Sequence, residues 1–519
     1  MKKANKRKKS RRNFFSSSQK IISILYLLIF ATILLTVLCF SWLPNCAYKN
    51  FFLPNIVALL ISLIASGAFY FVFKNVHIDK KSFRVIVITT FILLYLVQLF
   101  ILYFSYFKTG WDVYVVNDLA NRAAEQGTFT TVGSDPYLTI YNNNVLIVTI
   151  LSFIKSLPII GGKYFTILAI NALLVNIAGL FTCLTIKKLI SRKAGIMSIF
   201  ITVPLLLLSP WIIIPYSDTL TVAIPILIFF IYISTKKWWK YGLILFFGLI
   251  GYFIKPTTAI MLIAILLIGL LSYRWHKPKF NQAFWLRALA IANGILFAFL
   301  IKYVSYSYIN YQQVEGVAQA SIVHYLAMGQ NDETCGRYSQ SDVNEMSYGT
   351  KFEMQKFCNR ITNRSPKGQV TFFTKKLLTN FNDGTFAWGG EGTFYYEVPE
   401  RNNPISNIIT GFYYDNGKYN GWFTQLEQSL WLFVLLGCAF MVKRKPSREE
   451  SVLELSLIGL FFFVMLFEAR ARYLFCFAPI FITCAMLGFY NFKEQLINNP
   501  KLAKIYKRPK KKVNRNTSS

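Results

Sequence analysis

Residues 82–107 read SFRVIVITTFILLYLVQLFILYFSYF, and beyond Arg84 the run carries no charged side chain as far as Phe107. A helix of about 20 apolar residues reaches across the hydrocarbon core of a bilayer while satisfying its own backbone hydrogen bonds. Comparable stretches recur at 20–43, 51–73, 164–186, 196–214, 219–234, 241–254, 257–272, 287–308, 427–442, 452–467 and 471–491. Hydropathy therefore predicts about twelve spans. A shorter apolar segment, 145–158, stands as a thirteenth that either enters and leaves on one side or crosses a thinned bilayer tilted. With 54% of its 519 residues hydrophobic and only 15% charged, the chain holds more apolar surface than a soluble globule of this size would hide. These features predict an all-α polytopic membrane protein.

The formal charge of +33 raises the question of nucleic acid, because clustered Lys and Arg are the electrostatic footprint of such binding. Their positions argue otherwise. MKKANKRKKSRR at the start and YKRPKKKVNR near the end flank the outermost spans, and KNVHIDKKSFR, KKLISRK, TKKWWK, YRWHKPK and VKRKPSR fill short connections. Basic short loops mark the cytoplasmic side and are attracted to anionic lipid, so the expected partner is membrane lipid and no nucleic acid. The first apolar run is too long for a cleavable signal and lacks a small-residue cleavage site.

With the basic loops inside, segments 108–144, 210–218, 255–256, 309–426 and 468–470 fall outside. The chain divides into a basic cytoplasmic tail 1–19, a membrane module 20–308 carrying the external loop 108–144, an external lobe 309–426, membrane helices 427–491 and a basic tail 492–519. The lobe is rich in Asn, Gly, Thr and Tyr. Its aromatic density serves either a sugar-binding surface or a plain lid over the membrane domain. Cys335 and Cys358 both fall in it, where a disulfide or two free thiols are permitted. No Cys/His metal spacing occurs, and His77, His276 and His324 stand isolated in the sequence.

Residues 110–127, GWDVYVVNDLANRAAEQG, concentrate acid in a chain that otherwise avoids it. As a helix they put Val115, Val116, Leu119 and Ala123 on an apolar face suited to the membrane surface, and Asp118 with Glu125 on a polar one. Asp112 stands at the start of that helix, either as an N-cap or as a carboxylate able to take a proton from a hydroxyl. Cations at outer span ends that could face a lipid phosphate are Lys163, Lys255, Arg470 and Arg472. Glu468 offers the arginines an ordinary ion pair instead. Ser217 and Asp218 open a helix in PYSDTL. Asp135, Tyr137, Tyr141 and Asn142, Asn143 and Asn144 precede the short helix, where they can cap it or bind sugar hydroxyls.

The order of WDVYVVNDLANRAAEQG (111–127), YLTIYNNNVLIV (137–148), PYSDTL (215–220), FNDGTFAWGGEGTFYYE (381–397) and FEARARYLF (467–475) with the following proline in FAPIF resembles the GT-C superfamily of integral-membrane glycosyltransferases, in its family-39-like Gram-positive members. The resemblance implies a GT-C-like core, amphipathic helices in the first large external loop and a mixed extracellular lobe. It also implies a bacterial plasma-membrane enzyme that takes sugar from a polyprenyl-phosphate donor and gives it to a glycan, lipid or protein acceptor. The role of essential acid falls on Asp112, and Arg470 and Arg472 fall near the lipid phosphate. Lys255, Asp118, Tyr137, Tyr141, Asn143 and Asp218 complete the expected substrate-binding set. Some relatives use a divalent cation, but this first loop has no Asp-X-Asp, so no cofactor is expected, with a divalent cation as the alternative. A flippase for lipid-linked sugars and a noncatalytic cell-envelope scaffold are the competing readings.

Overall fold

The computed structural model describes residues 2–43, 51–126, 129–157, 163–272, 281–401, 403–443 and 445–498; His276 and residues 499–519 of the basic tail lie outside them. The chain is an all-α polytopic membrane protein. Among the described residues, seven helices are long and apolar enough to cross a membrane: Phe15–Cys39, Asn55–Phe73, Lys80–Ser105, Lys163–Leu189, Ser217–Ser234, Gln282–Tyr308 and Ala471–Ile497. Asn144–Ser156, Lys240–Ile254 and Pro256–Ser272 are shorter apolar helices. The predicted spans 427–442 and 452–467 lie on the helices Asn420–Ala439 and Arg448–Leu466.

Span 196–214 departs from expectation, because it is not one helix. Arg192–Thr202 gives way at Pro204 to a π turn, Val203–Leu207, and then to a 3-10 turn, Pro210–Ile213. Proline has no N–H to donate and its ring crowds the preceding turn. Irregular backbone at such depth survives only where protein satisfies it. Gln98 donates to the Leu207 carbonyl (2.7 Å), Tyr413 to Leu208 (2.8 Å) and Asn171 to Ile212 (2.8 Å).

The Lys80–Ser105 helix starts beside the basic connections and ends at the acidic loop, so the two ends of the bundle differ in charge. At one end Lys187 lies over Phe83 (4.7 Å), Lys493 over Tyr70 (5.4 Å), and Arg448 reaches Ser272 O (3.2 Å). At the other stands the 309–426 lobe. It consists of short helices joined by loops with, among the described residues, a single strand, Tyr395–Glu397, which pairs antiparallel with Lys108–Thr109 of the first loop. Lys108 and Glu397 close that clip at 2.7 Å. No disulfide joins Cys335, which is buried, to Cys358, which is exposed. Nor is His324 isolated. Its Nδ1 lies 2.8 Å from Glu353 Oε1 in the buried interior of the lobe.

The helix Trp111–Gln126 does not lay its apolar side on the membrane surface. Val113, Val116, Leu119, Ala120 and Ala123 are buried, and the helix packs against Asn144–Ser156. Thirteen residues are too few to cross a bilayer upright, but they suffice as a buried support. Lys155 anchors it by donating to Asn117 O (2.9 Å) and to the Asn121 side chain.

Two expectations test this packing. Helices Lys240–Ile254 and Gln282–Tyr308 meet through Gly242 and Gly294, where an added Cβ would stand 2.4 Å from Ala290 O and 2.3 Å from Gly242 O respectively. Backbone cannot yield as a flexible side chain can, so Gly294→Val should lower stability by about 1–3 kcal/mol, read as an earlier thermal transition in detergent. In the lobe, burial alone would raise the Asp342 pKa. Hydrogen bonds from Arg360 (2.9 Å), Lys356 and Asn331 (3.0 Å) outweigh that and hold it at about 2, below the ordinary 3.8. A depressed acid stabilises the fold above its unfolded pKa and loses that contribution as pH falls through the folded one. Hydrogen-exchange protection of the lobe should therefore drop between about pH 4 and pH 2, and Asp342→Asn should remove that step.

Candidate functional site

Segments far apart in sequence, all predicted to share one side of the membrane, meet beneath the lobe. The π and 3-10 breaks after Thr202 deliver Tyr216 and Asp218 there, on the short turn Ser217–Leu220. Lys255 arrives at the break between Lys240–Ile254 and the Pro256–Thr258 turn, where Pro256 ends the first helix. Arg470 and Arg472 arrive at the break after Arg448–Leu466. Each break places a polar side chain where a continuous helix would have carried an apolar one.

Asp112 lies in the first turn of its helix, yet no first-turn amide among the described residues donates to its side chain. It takes a 3.4 Å hydrogen bond from Tyr216 Oη instead. Trp111 holds φ +48°, a left-handed conformation costly for a bulky residue. Its surroundings fix it there: the indole stands edge-on to Tyr216 (centroids 5.3 Å) and beneath the Arg472 guanidinium (4.4 Å). That guanidinium also lies 5.7 Å from the Tyr216 ring. The acid of the first loop and a cation of the last breaks thus share two aromatic neighbours.

Of the expected cations, Lys255, Arg470 and Arg472 are not solvated. Lys255 pairs with Asp218, both buried. Arg470 is held by Glu468 (2.6 Å) and Glu391 (3.0 Å), Arg472 by Glu391 (3.1 Å). Tyr473 donates to Glu468 (2.6 Å) and its ring lies 4.5 Å from Lys255 Nζ. Three cations thus face three buried carboxylates, and the partly exposed Arg337 also lies 3.7 Å from Glu391. Glu391 links the groups. Burial would raise its pKa, but Arg470, Arg472 and Arg337 together hold it below the ordinary value. Capacity remains even so: Arg472 Nη1 and Trp111 Nε1, and Arg472 Nε beyond its ion pair with Glu391, are buried without a hydrogen-bond partner among the described residues. Buried donors on adjoining groups, left without a hydrogen bond, suit an anion.

Tyr137 and Asn144 complete the wall next to Asp112. Asn144 donates to Tyr137 Oη (2.7 Å) and approaches Tyr216 Oη (3.3 Å). Burial first, then Tyr216 and Asp112, push the Tyr137 phenol well up. Tyr141 packs on Tyr137 (5.2 Å), and burial followed by the Asp112 charge raises its phenol too.

Other expected members stand elsewhere. Asp118 is bound to Arg122 (3.2 Å), which also holds Asp135 (3.0 Å). Among the described residues the Asn143 side chain donates to its neighbour Asn144 (3.2 Å), and Lys163 forms an exposed pair with Glu125 (3.1 Å). For Asp118 the reason is local, since an Arg at i+4 on the same helix face captures it. Sequence reasoning named the three asparagines together without singling out Asn144 for the site, and it missed Tyr216 and above all Glu391. The last lay in plain view as the acid of WGGEG, preceded by Phe386 and Ala387 at φ +54° and +65° and anchored by Asp383, which accepts from Thr385 N (2.8 Å) and Ala387 N (2.9 Å). Among the described residues no three His, Cys, Asp or Glu side chains stand together in a metal-holding group.

No curated protein matches this chain. A family model does: residues 14–492 match the family described as conserved hypothetical integral membrane protein, and the chain belongs to that family.

Proposed function

We propose that the chain is a GT-C-type glycosyltransferase of the bacterial plasma membrane, its site facing outward, which moves a sugar from a polyprenyl-phosphate carrier to a glycan, lipid or protein acceptor. The observation that carries the reading is Arg472 Nη1, without a hydrogen-bond partner among the described residues, beside Trp111 and one aromatic ring away from Asp112. The acceptor hydroxyl oxygen attacks the anomeric carbon, and its proton passes to the Asp112 carboxylate. The bond between that carbon and the phosphate oxygen breaks, and its electron pair leaves with the phosphate. One displacement inverts the anomeric centre and needs no covalent enzyme intermediate. The carrier phosphate gains charge as it leaves, and Arg472, held in a water-poor pocket, stabilises that gain more than it stabilises the bound donor.

The charged groups gather at one end of the bundle, whereas a transporter places them near the midplane. The experiment is direct. The purified protein in nanodiscs, given a synthetic polyprenyl-phosphate sugar and an acceptor, should release polyprenyl phosphate; sugar-lipid movement across liposomes without release would replace the enzyme with a flippase.

A further inference from the structure

A cleft of about 460 Å³, with polar side chains along its rim, opens in the lobe along one face of the helix Thr350–Thr362. Its charged wall carries Lys356, Arg360 and Arg364: Lys356 pairs with Glu345 and with the buried Asp342 behind the wall, Arg360 with the same Asp342 (2.9 Å), and Arg364 with Asp332 (2.8 Å). Those charges hold one another and leave little net field. Along the open face stand Gln355, Asn359 and Asn363, all exposed, each one turn from the next, spanning roughly 12 Å at 1.5 Å per residue. No side-chain hydrogen bond engages any of the three among the described residues. Phe352, partly exposed, continues the row, and Tyr348 stands edge-on to it (5.1 Å).

The row has a definite chemistry. A carboxamide offers both donors and an acceptor, which suits adjacent hydroxyls on one ring, and an aromatic face suits the C–H side of a pyranose. A charge-balanced wall disfavours polyanions. We infer that this cleft binds a neutral oligosaccharide segment of the acceptor, a reading that rests on the proposed transferase function. Its floor connects to the site. Arg364 donates to the Gln330 side chain (3.1 Å), Ala469 N donates to Gly336 O (2.7 Å), and Tyr338 lies 5.6 Å from the Arg470 guanidinium. A glycan held in the cleft would be anchored on the element that borders the arginines.

The test uses the full chain in nanodiscs and fluorescently labelled neutral gluco-, galacto- and rhamno-oligosaccharides, read by polarisation. At least one should bind to the wild type and equally to Asp112→Asn. The triple variant Gln355→Ala, Asn359→Ala, Asn363→Ala should weaken it by at least about tenfold, as expected for losing several modest hydrogen bonds. Phe352→Ala should weaken it as well. In the triple variant, donor hydrolysis to water should stay at the wild-type rate, which separates loss of this cleft from failure of the transferase reading. Binding unchanged by the triple substitution, or binding of none of these oligosaccharides, would overturn the assignment.

Discussion

Replacing Asp112 by asparagine is expected to cut sugar transfer by about 100- to 10,000-fold, the range of a positioned general base, while the protein remains folded and inserted. Among the described residues its side chain takes a long hydrogen bond from Tyr216 and faces the Tyr137 phenol, and no backbone amide donates to it, so little of the fold depends on its charge. Asparagine keeps the shape and can still accept from Tyr216, but it cannot take a proton from the incoming hydroxyl. Transfer from a polyprenyl-phosphate sugar, measured on Asp112→Asn and Asp112→Ala with wild-type melting behaviour, checks this. Full activity in either would remove Asp112 from the chemistry.

The second large effect concerns Arg472. Deleting a buried partner leaves an uncompensated charge and costs about 3–5 kcal/mol, so an alanine variant would confuse folding with catalysis. Arg472→Lys avoids that, because an ammonium can still pair with Glu391. What it loses is the second arm of the fork, the Nη1 that has no hydrogen-bond partner among the described residues. The donor is a phosphodiester with one charge, and the departing phosphate carries more, so the loss should fall mainly on kcat. A drop of about 100- to 1,000-fold is expected, as for removal of one preorganised donor, with a smaller change in KM. An unchanged kcat with a raised KM would make Arg472 a mere holder of the ground state.

Much of this was legible in the chain because two periodic signals were strong. Apolar runs located the membrane helices, and the positions of Lys and Arg sorted the connections into two sides. The same sorting placed Asp112, Asp218, Lys255, Arg470 and Arg472 on one side, where the fold brings them close. What sequence could not supply was pairing. Asp118 has the look of a site acid, yet Arg122 one turn on takes it. Glu391 is distant from both arginines in the chain and meets them only because the lobe turn at 388–392 docks through Trp388, whose Nε1 donates to Tyr413 O (2.7 Å) and whose ring meets Trp211 (5.6 Å). The membrane-surface role of residues 111–126 failed for a related reason: amphipathicity says that a face is covered, and not whether lipid or protein covers it. Here the buried helix Asn144–Ser156 does.

Occupancy tests the account most directly. A cryo-EM map of the protein with a non-hydrolysable polyprenyl-phosphonate sugar should place the phosphonate within hydrogen-bonding distance of Arg472 and Trp111, with the anomeric carbon facing Asp112. A phosphonate bound away from Arg472, or a sugar turned from Asp112 toward the basic end of the bundle, would contradict it.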